Sequence, residues 1–151
     1  MKIKPVRYKY MTNLSWSSEK KGILKSIGKP EIEVACPPEF GGHPNMWSPE
    51  DLFLSSVEVC TMTTVLWLVN KEKMQLLSYK SKAEGFVEMV NGVFQFSLIN
   101  IKLTIGVSSG KDCDKIENII KKVNKTCLIS NSIRSTVKIE TKIVVNKKDN
   151  I

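Results

Sequence analysis

One stretch limits the fold more than any other: residues 48–71, SPEDLFLSSVEVCTMTTVLWLVNK. It opens as a helix. Ser48 can cap, Pro49 sits at the first helical position where its missing N–H is harmless, and Glu50 and Asp51 meet the positive end of the helix dipole. Asp51, three residues after Ser48, imitates a capping box with the shorter acid. Beyond the cap, apolar side chains fall on nearly every face: Leu52, Phe53, Leu54, Val57, Val59, Met62, Val65, Leu66, Trp67, Leu68 and Val69. A helix like this is expected inside a core, because a wet face would waste apolar area. Within it, Cys60 stands among small hydroxyl residues: Ser55, Ser56, Thr61, Thr63 and Thr64.

The same stretch is the membrane-span candidate. Glu58, Asp51 and the five hydroxyls argue against spanning, since a charge at mid-bilayer costs about 2.5–3.5 kcal/mol even on the mildest scale. The start, MKIKPVRYKY, has charge but no apolar run, so no secretory signal is read there. With 42% hydrophobic and 25% charged residues, the 151-residue chain has the make-up of one soluble domain, 1–151, with its own core. A cytoplasmic protein with no membrane partner is expected.

The net charge of +8 raises nucleic acid as a partner. The lysines are scattered (Lys20, Lys21, Lys25, Lys71, Lys73, Lys121, Lys122, Lys147, Lys148) and form no arginine-rich stripe or aromatic ladder. They read as a solvated surface, and no nucleic-acid partner is expected. The cysteines, at 36, 60, 113 and 127, show no CxxC and no metal-ligand spacing, and His43 is the single histidine. No metal or cofactor is expected.

Around the helix the chain reads as short strands. Residues 5–16, 22–27 and 31–35 are rich in β-formers, with Gly28-Lys29-Pro30 as a turn, and predict an antiparallel meander over about 5–36. The loop CPPEFGGHPNMW (36–47) follows, with Phe40 and Trp47 expected against the core. A hairpin over about 76–107 turns at Asn91-Gly92. Its second strand alternates in two phases, Phe94, Phe96, Leu98 and then Ile99, Ile101, Leu103, Ile105, so a bulge is expected at Leu98-Ile99. A second helix over about 112–127 keeps Ile116, Ile119, Ile120, Val123 and Cys127 on one stripe. Ser130-Asn131-Ser132 reads as a turn or short helical piece, 134–146 as a last strand and 147–151 as a frayed tail. The fold class is α+β: antiparallel sheet with two main helices.

Cys60 lies on a seam, Glu50-Phe53-Val57-Cys60-Thr64-Trp67, at steps of three and four. Such a seam packs against another helix, here the second helix or a copy of itself. If the second helix docks there, Cys127 comes near Cys60 and the two could act as a redox pair. A thiolate attacks a hydroperoxide, and a second thiol condenses with the sulfenic acid that results. A cation beside Cys60 would favour the thiolate, and Glu50 could hold that cation. On its own helix Glu50 is about 15 Å from Cys60. Two copies crossing antiparallel near Ser55 would bring Glu50 of one chain to Cys60 of the other. The plainer readings stay open: Cys60 as a small buried hydrophobe, Glu50 as a dipole-stabilising acid, Cys127 as core. Cys36 and Cys113 read as structural, Glu58 points about 200° away from Cys60, and His43 is a loop residue.

Pro49-Glu50-Asp51-Leu52-Phe53 with Cys60 ten residues after the glutamate resembles the helix motif of the OsmC/Ohr family. Cys127-Leu128-Ile129-Ser130-Asn131 before a hydrophobic strand, and the loop Pro37-Pro38-Glu39-Phe40-Gly41-Gly42, resemble the same family, over about residues 16–145. The resemblance implies an intertwined homodimer that reduces organic hydroperoxides. Cys60 would be peroxidatic, Cys127 resolving, and an external thiol or dithiol the reductant. It also implies an arginine paired with the helix glutamate. This chain instead reads Ser18-Glu19-Lys20-Lys21-Gly22 in that loop, so Lys20 or Lys21 would stand in without the bidentate fork of arginine. Leu128 stands where many members have proline. The alternative is a non-enzymatic protein of the same fold that binds a small apolar ligand beside Cys60.

Overall fold

The structure, a computed structural model, describes residues 6–146. Pro5 and the tail expected at 147–151 lie outside the described residues. The described chain packs as two compact units that divide between Leu52 and Phe53.

The first unit holds an antiparallel sheet of β1 (Asn13–Ser18), β2 (Lys21–Lys25) and β3 (Ile32–Ala35) in that order. The meander is the expected one, but its first strand begins at Asn13 rather than near residue 5. The loop after β3 contains one 3-10 turn, Pro38–Phe40. Phe40 and Trp47, expected against the core, remain 49% and 48% exposed. Backbone bonds hold the loop instead: His43 N–H to Cys36 O at 2.9 Å, Gly42 N–H to Pro37 O at 3.0 Å and Ala35 N–H to Trp47 O at 3.0 Å. Gly42 lies so tightly on Cys36 that a Cβ would overlap the Cys36 carbonyl. The unit ends in the start of α1 (Pro49–Lys71). The capping box forms reciprocally. Ser48 N–H donates to Asp51 Oδ2 at 3.0 Å, and Asp51 N–H donates to Ser48 Oγ at 3.1 Å.

In the second unit α1 continues, followed by β4 (Ser78–Val90), β5 (Val93–Val107), α2 (Cys113–Thr126) and β6 (Thr136–Val145), with sheet order β4-β5-β6. Asn91 (φ 51°) and Gly92 (φ 80°) both take positive φ, as a tight hairpin turn requires. The extra residue in β5 is Ser97, one position before the expected slip: Phe86 pairs with Leu98, and Val87 with Phe96. The unpaired residue is a polar one whose hydroxyl bonds the Glu88 carboxylate and the Phe86 carbonyl. From there Ile99, Ile101, Leu103 and Ile105 all point to one buried face.

The sheet is mixed rather than antiparallel. β6 runs parallel to β5, from Leu98 opposite Thr136 to Val107 opposite Val145. The reason is the connection: α2 is a crossover between the two strands, and a strand reached through a crossover helix lies parallel. The crossover also sets the core. Val57, Val65, Leu68 and Val69 of α1 and Ile116, Ile119 and Val123 of α2 join the inward residues of β5 in one buried cluster. The outer face carries Lys80, Lys82, Glu84, Lys102, Lys138, Glu140 and Lys142.

By length and composition α1 could cross a membrane, but it is a core helix. It is not dry all round, as its composition suggested. Val59, Leu66 and Trp67 are 54%, 42% and 54% exposed, because the sheet and α2 cover only one side. The N-terminal part of α1 is seated by aromatic stacking. Phe53 stacks on Phe96 with ring centroids 4.8 Å apart. Gly85 makes room for that ring, since a Cβ there would lie 2.6 Å from Phe96 and 3.3 Å from Leu54. Gly85→Val is therefore expected to destabilise the protein by about 1–3 kcal/mol. Urea unfolding should show a lower midpoint at unchanged slope. An unchanged midpoint would mean that the Phe53–Phe96 stack has slack.

A paired-cysteine candidate active site

Cys60 lies in the middle of α1 and Cys127 at the end of α2, 67 residues apart in sequence, and their sulfurs are 2.9 Å apart. Both thiols are free. This separation is below the ~3.5–4.0 Å of ordinary van der Waals contact and above the ~2.05 Å of a disulfide. The seam on α1 thus meets the C-terminal end of α2, one of the two partners its spacing allowed.

The end of α2 is built to place Cys127. Its N–H still bonds Val123 O at 2.7 Å, but its ψ of 118° turns the chain out of the helix. Asn131 holds that exit. Its Nδ2 donates to the carbonyls of Asn124 (3.2 Å), Lys125 (3.2 Å) and Cys127 (2.7 Å), which a helix end otherwise leaves without partners. Ser132 Oγ donates to Leu128 O at 2.8 Å. Cys127 is fully buried, whereas Cys60 is partly open and lines a shallow groove of about 320 Å³ with Thr63, Thr64, Trp67, Thr126 and Leu128. Lys71 lies over the Trp67 ring, 5.3 Å from its centroid.

The two sulfurs differ electrostatically. Burial pushes the Cys60 thiol up and the contact with Cys127 adds to this, against weaker opposition from the Ile129 N–H and the Thr64 hydroxyl. Burial acts the same way on Cys127 but is outweighed there. The contact with Cys60 and the polar groups of Ser130 and Ile129 bring that thiol below its ordinary value. Ser130 Oγ is buried without a hydrogen-bond partner among the described residues. Among the described residues, the groups that shift the Cys60 thiol are Cys127, Ile129 and Thr64, none of them a cation.

The other site residues expected from sequence are placed as follows. Glu50 is half-buried in the first turn of α1, and its Oε2 is buried without a hydrogen-bond partner among the described residues. Lys20 Nζ donates to Phe40 O at 2.8 Å. Lys21 pairs with Glu19 at 3.1 Å, and His43 approaches the same carboxylate at 3.3 Å. Lys21 and then His43 hold the Glu19 carboxyl below its usual range. Glu58 faces β4, where it accepts from Ser81 Oγ at 2.6 Å beside Tyr79. Burial, chiefly, pushes the Tyr79 phenol up to about 12. Cys36 donates to Phe40 O at 3.6 Å. Among the described residues no cluster of three or more His, Cys, Asp or Glu could hold a metal ion. The 3-10 turn Ser130–Ser132 agrees with the turn or short helical piece expected there, but the part that Asn131 plays in holding the helix end was missed. The signals that could have found it are its place just past a cysteine at a helix end and within the stretch Cys127-Leu128-Ile129-Ser130-Asn131.

Residues 42–142 match the family model described as OsmC-like protein. The chain belongs to the OsmC-like family. Among solved structures it is similar to an OsmC-like protein of unknown function from Vibrio cholerae, with a TM-score of 0.80 at 16% identity, covering 91% of this chain and 100% of that one. It is also similar to an organic hydroperoxide resistance protein from Elizabethkingia anophelis, with a TM-score of 0.72 at 20% identity, covering 93% and 99%. An uncharacterised protein of Bacillus subtilis, YmaD, is 20% identical over 110 residues, 71% of this chain and 73% of that protein. At these identities the solved structures show the OsmC-like fold, and some proteins that share it are organic hydroperoxide resistance proteins.

The sulfur geometry makes one reaction easy. From 2.9 Å the pair has only about 0.9 Å to close to reach disulfide distance. Oxidation of the reduced protein with diamide is expected to yield a Cys60–Cys127 disulfide by peptide mapping. Bridges through Cys36 or Cys113 as the main product would contradict the pairing.

Proposed function

We propose that this OsmC-like protein is a thiol-dependent reductase of organic hydroperoxides. The observation that carries the reading is the unequal pair: one sulfur at the floor of an open, largely apolar groove and a second, buried sulfur in contact with it. Cys60, as thiolate, attacks the terminal oxygen of the hydroperoxide. The O–O bond breaks, an alcohol leaves and Cys60 becomes a sulfenic acid. Cys127 attacks that sulfur and expels hydroxide, giving the disulfide. An external dithiol reduces it and restores both thiols. Trp67 and Leu128 beside Cys60 suit a hydrocarbon-bearing peroxide better than hydrogen peroxide. Free thiols as the working state suit a reducing compartment such as the cytoplasm.

Glu50 is assigned the role of holding a cation, with Lys21 or Lys20 as that cation. An unpartnered buried carboxylate oxygen calls for a donor. The protein is read as a homodimer, since the exposed Val59, Leu66 and Trp67 leave α1 with an apolar side that a second copy could cover. Antiparallel crossing of two such helices would bring Glu50 of one chain to the Cys60 of its partner.

A second reading has one observation in its favour. Both lysines that would replace the arginine are already engaged, one with a carbonyl and one with Glu19. On that reading the protein binds a small apolar ligand beside Cys60 without turning it over. Turnover of cumene hydroperoxide with a dithiol separates the two. Wild type is expected to consume peroxide, Cys60→Ser to fall to the uncatalysed rate, and Cys127→Ser to stop once Cys60 is oxidised. Absence of turnover by the wild type would favour the binder, and a monomer in sedimentation would remove the shared site.

A further inference from the structure

The two sulfurs are held with unequal firmness. Cys60 lies in the middle of the 23-residue α1, with helix on both sides of it. Cys127 is the residue just past the last turn of α2, where ψ has already swung to 118°. The last carbonyls of a helix have no partner within it, and helix ends fray. The 2.9 Å contact between the sulfurs therefore depends on what steadies the exit of α2.

Asn131 steadies it. The Cys127 carbonyl accepts twice from this residue, from Nδ2 at 2.7 Å and from the backbone N–H at 3.1 Å. Nδ2 carries two N–H bonds, and the carbonyls of Asn124 and Lys125, each at 3.2 Å, share them with Cys127. Asn124 in turn donates from its own Nδ2 to Val137 O at 2.9 Å. The last turn of α2 is thus tied to β6 on one side and to its own exit on the other. Asn131 is an exposed residue. Its amide fixes the direction in which the backbone leaves Cys127, and it fills no space in the core.

We propose that Asn131 is a positioning residue for disulfide formation: it holds the reduced Cys127 where it can bond to Cys60, and so tilts the thiol pair toward the disulfide. In the oxidised protein the S–S bond itself restrains Cys127, and the clamp is redundant. In the reduced protein the clamp restrains the exit. Losing Asn131 therefore frees the dithiol more than the disulfide, and the disulfide becomes harder to form. On the peroxide-reducing reading, the same hold decides the fate of the Cys60 sulfenic acid. Cys127 in place condenses with it, forming the S–S bond and releasing water. Cys127 displaced leaves it to a second hydroperoxide, which passes one oxygen to the sulfur, giving sulfinic acid, and leaves as the alcohol. This consequence rests on that reading; the effect on the thiol pair does not.

Equilibration with glutathione and its disulfide, then acid trapping and peptide mapping of the Cys60–Cys127 bridge, tests this. In that exchange the protein dithiol and glutathione disulfide become the protein disulfide and two glutathiones. Asn131→Ala removes an exposed side chain and leaves no cavity, so the variant should fold. It should lower the equilibrium constant about tenfold, a rise of about 30 mV in reduction potential. Urea should unfold reduced Asn131→Ala at a lower midpoint than reduced wild type, with a smaller gap between the two oxidised proteins. Asn131→Ser, whose hydroxyl can serve one carbonyl, should shift the equilibrium the same way by less. An unmoved equilibrium with equal losses of midpoint in both redox forms overturns the proposal, and so does a variant that folds in neither form. After exposure to cumene hydroperoxide, Asn131→Ala should carry more Cys60 sulfinic acid than wild type. Equal amounts in the two oxidised proteins would remove Asn131 from the capture step. If peroxide oxidises neither protein while the glutathione equilibrium shifts, the activity fails and the clamp stands. Peroxide turnover with an unmoved equilibrium does the reverse.

Discussion

The site depends on how the second sheet is closed. β5 buries one face, and α2 must leave its end, pack back on that face and deliver β6 alongside in parallel. The same face receives α1. Two helices laid on one row of isoleucines come within reach of each other, and the only sulfur on the α1 seam meets the sulfur at the α2 terminus. No local sequence signal could make that contact. It follows from a strand whose buried side is shared by two helices.

Contact alone does not make a thiol reactive. Burial disfavours a thiolate, so a pair placed this deep would be inert unless donors repay the loss of water. The ends of elements supply those donors. Helix interiors have used their backbone N–H groups, whereas the segment just past α2 has N–H groups to offer. Cys127 lies at that exit, where the N–H groups of Ser130 and Ile129 act on it, whereas of these only that of Ile129 acts on Cys60, mid-helix on α1. The Cys60 thiol is accordingly pushed up and that of Cys127 brought down.

How much of this could be read beforehand follows the range of each interaction. The Ser48–Asp51 box and the Asn91-Gly92 turn were legible because each is complete within four residues. The approach of Cys127 to Cys60 was legible as a conditional, because the seam on α1 runs through one cysteine and the stripe on α2 ends at another. The direction of β6 was not, since alternation marks a strand without saying which neighbour it joins. The open side of α1 was hidden for a related reason. A helix apolar all round announces that it avoids water but not which element covers it. The role of Asn131 was hidden because small polar residues after a helix look alike whether they merely turn the chain or bond three of its carbonyls.

Glu50 and Ser130 present the same problem from two sides. Among the described residues Glu50 has a buried acceptor without a donor, and Ser130 a buried hydroxyl without a partner. In an arrangement where an arginine faces both carboxylate and thiolate, one residue answers both needs. Here the lysines of the β1–β2 turn are engaged with Glu19 and a carbonyl, so a cation cannot be assumed at the sulfur. Backbone amides have an advantage in that role. They bring no charge of their own to desolvate, and their positions are set by the fold rather than by a long side chain.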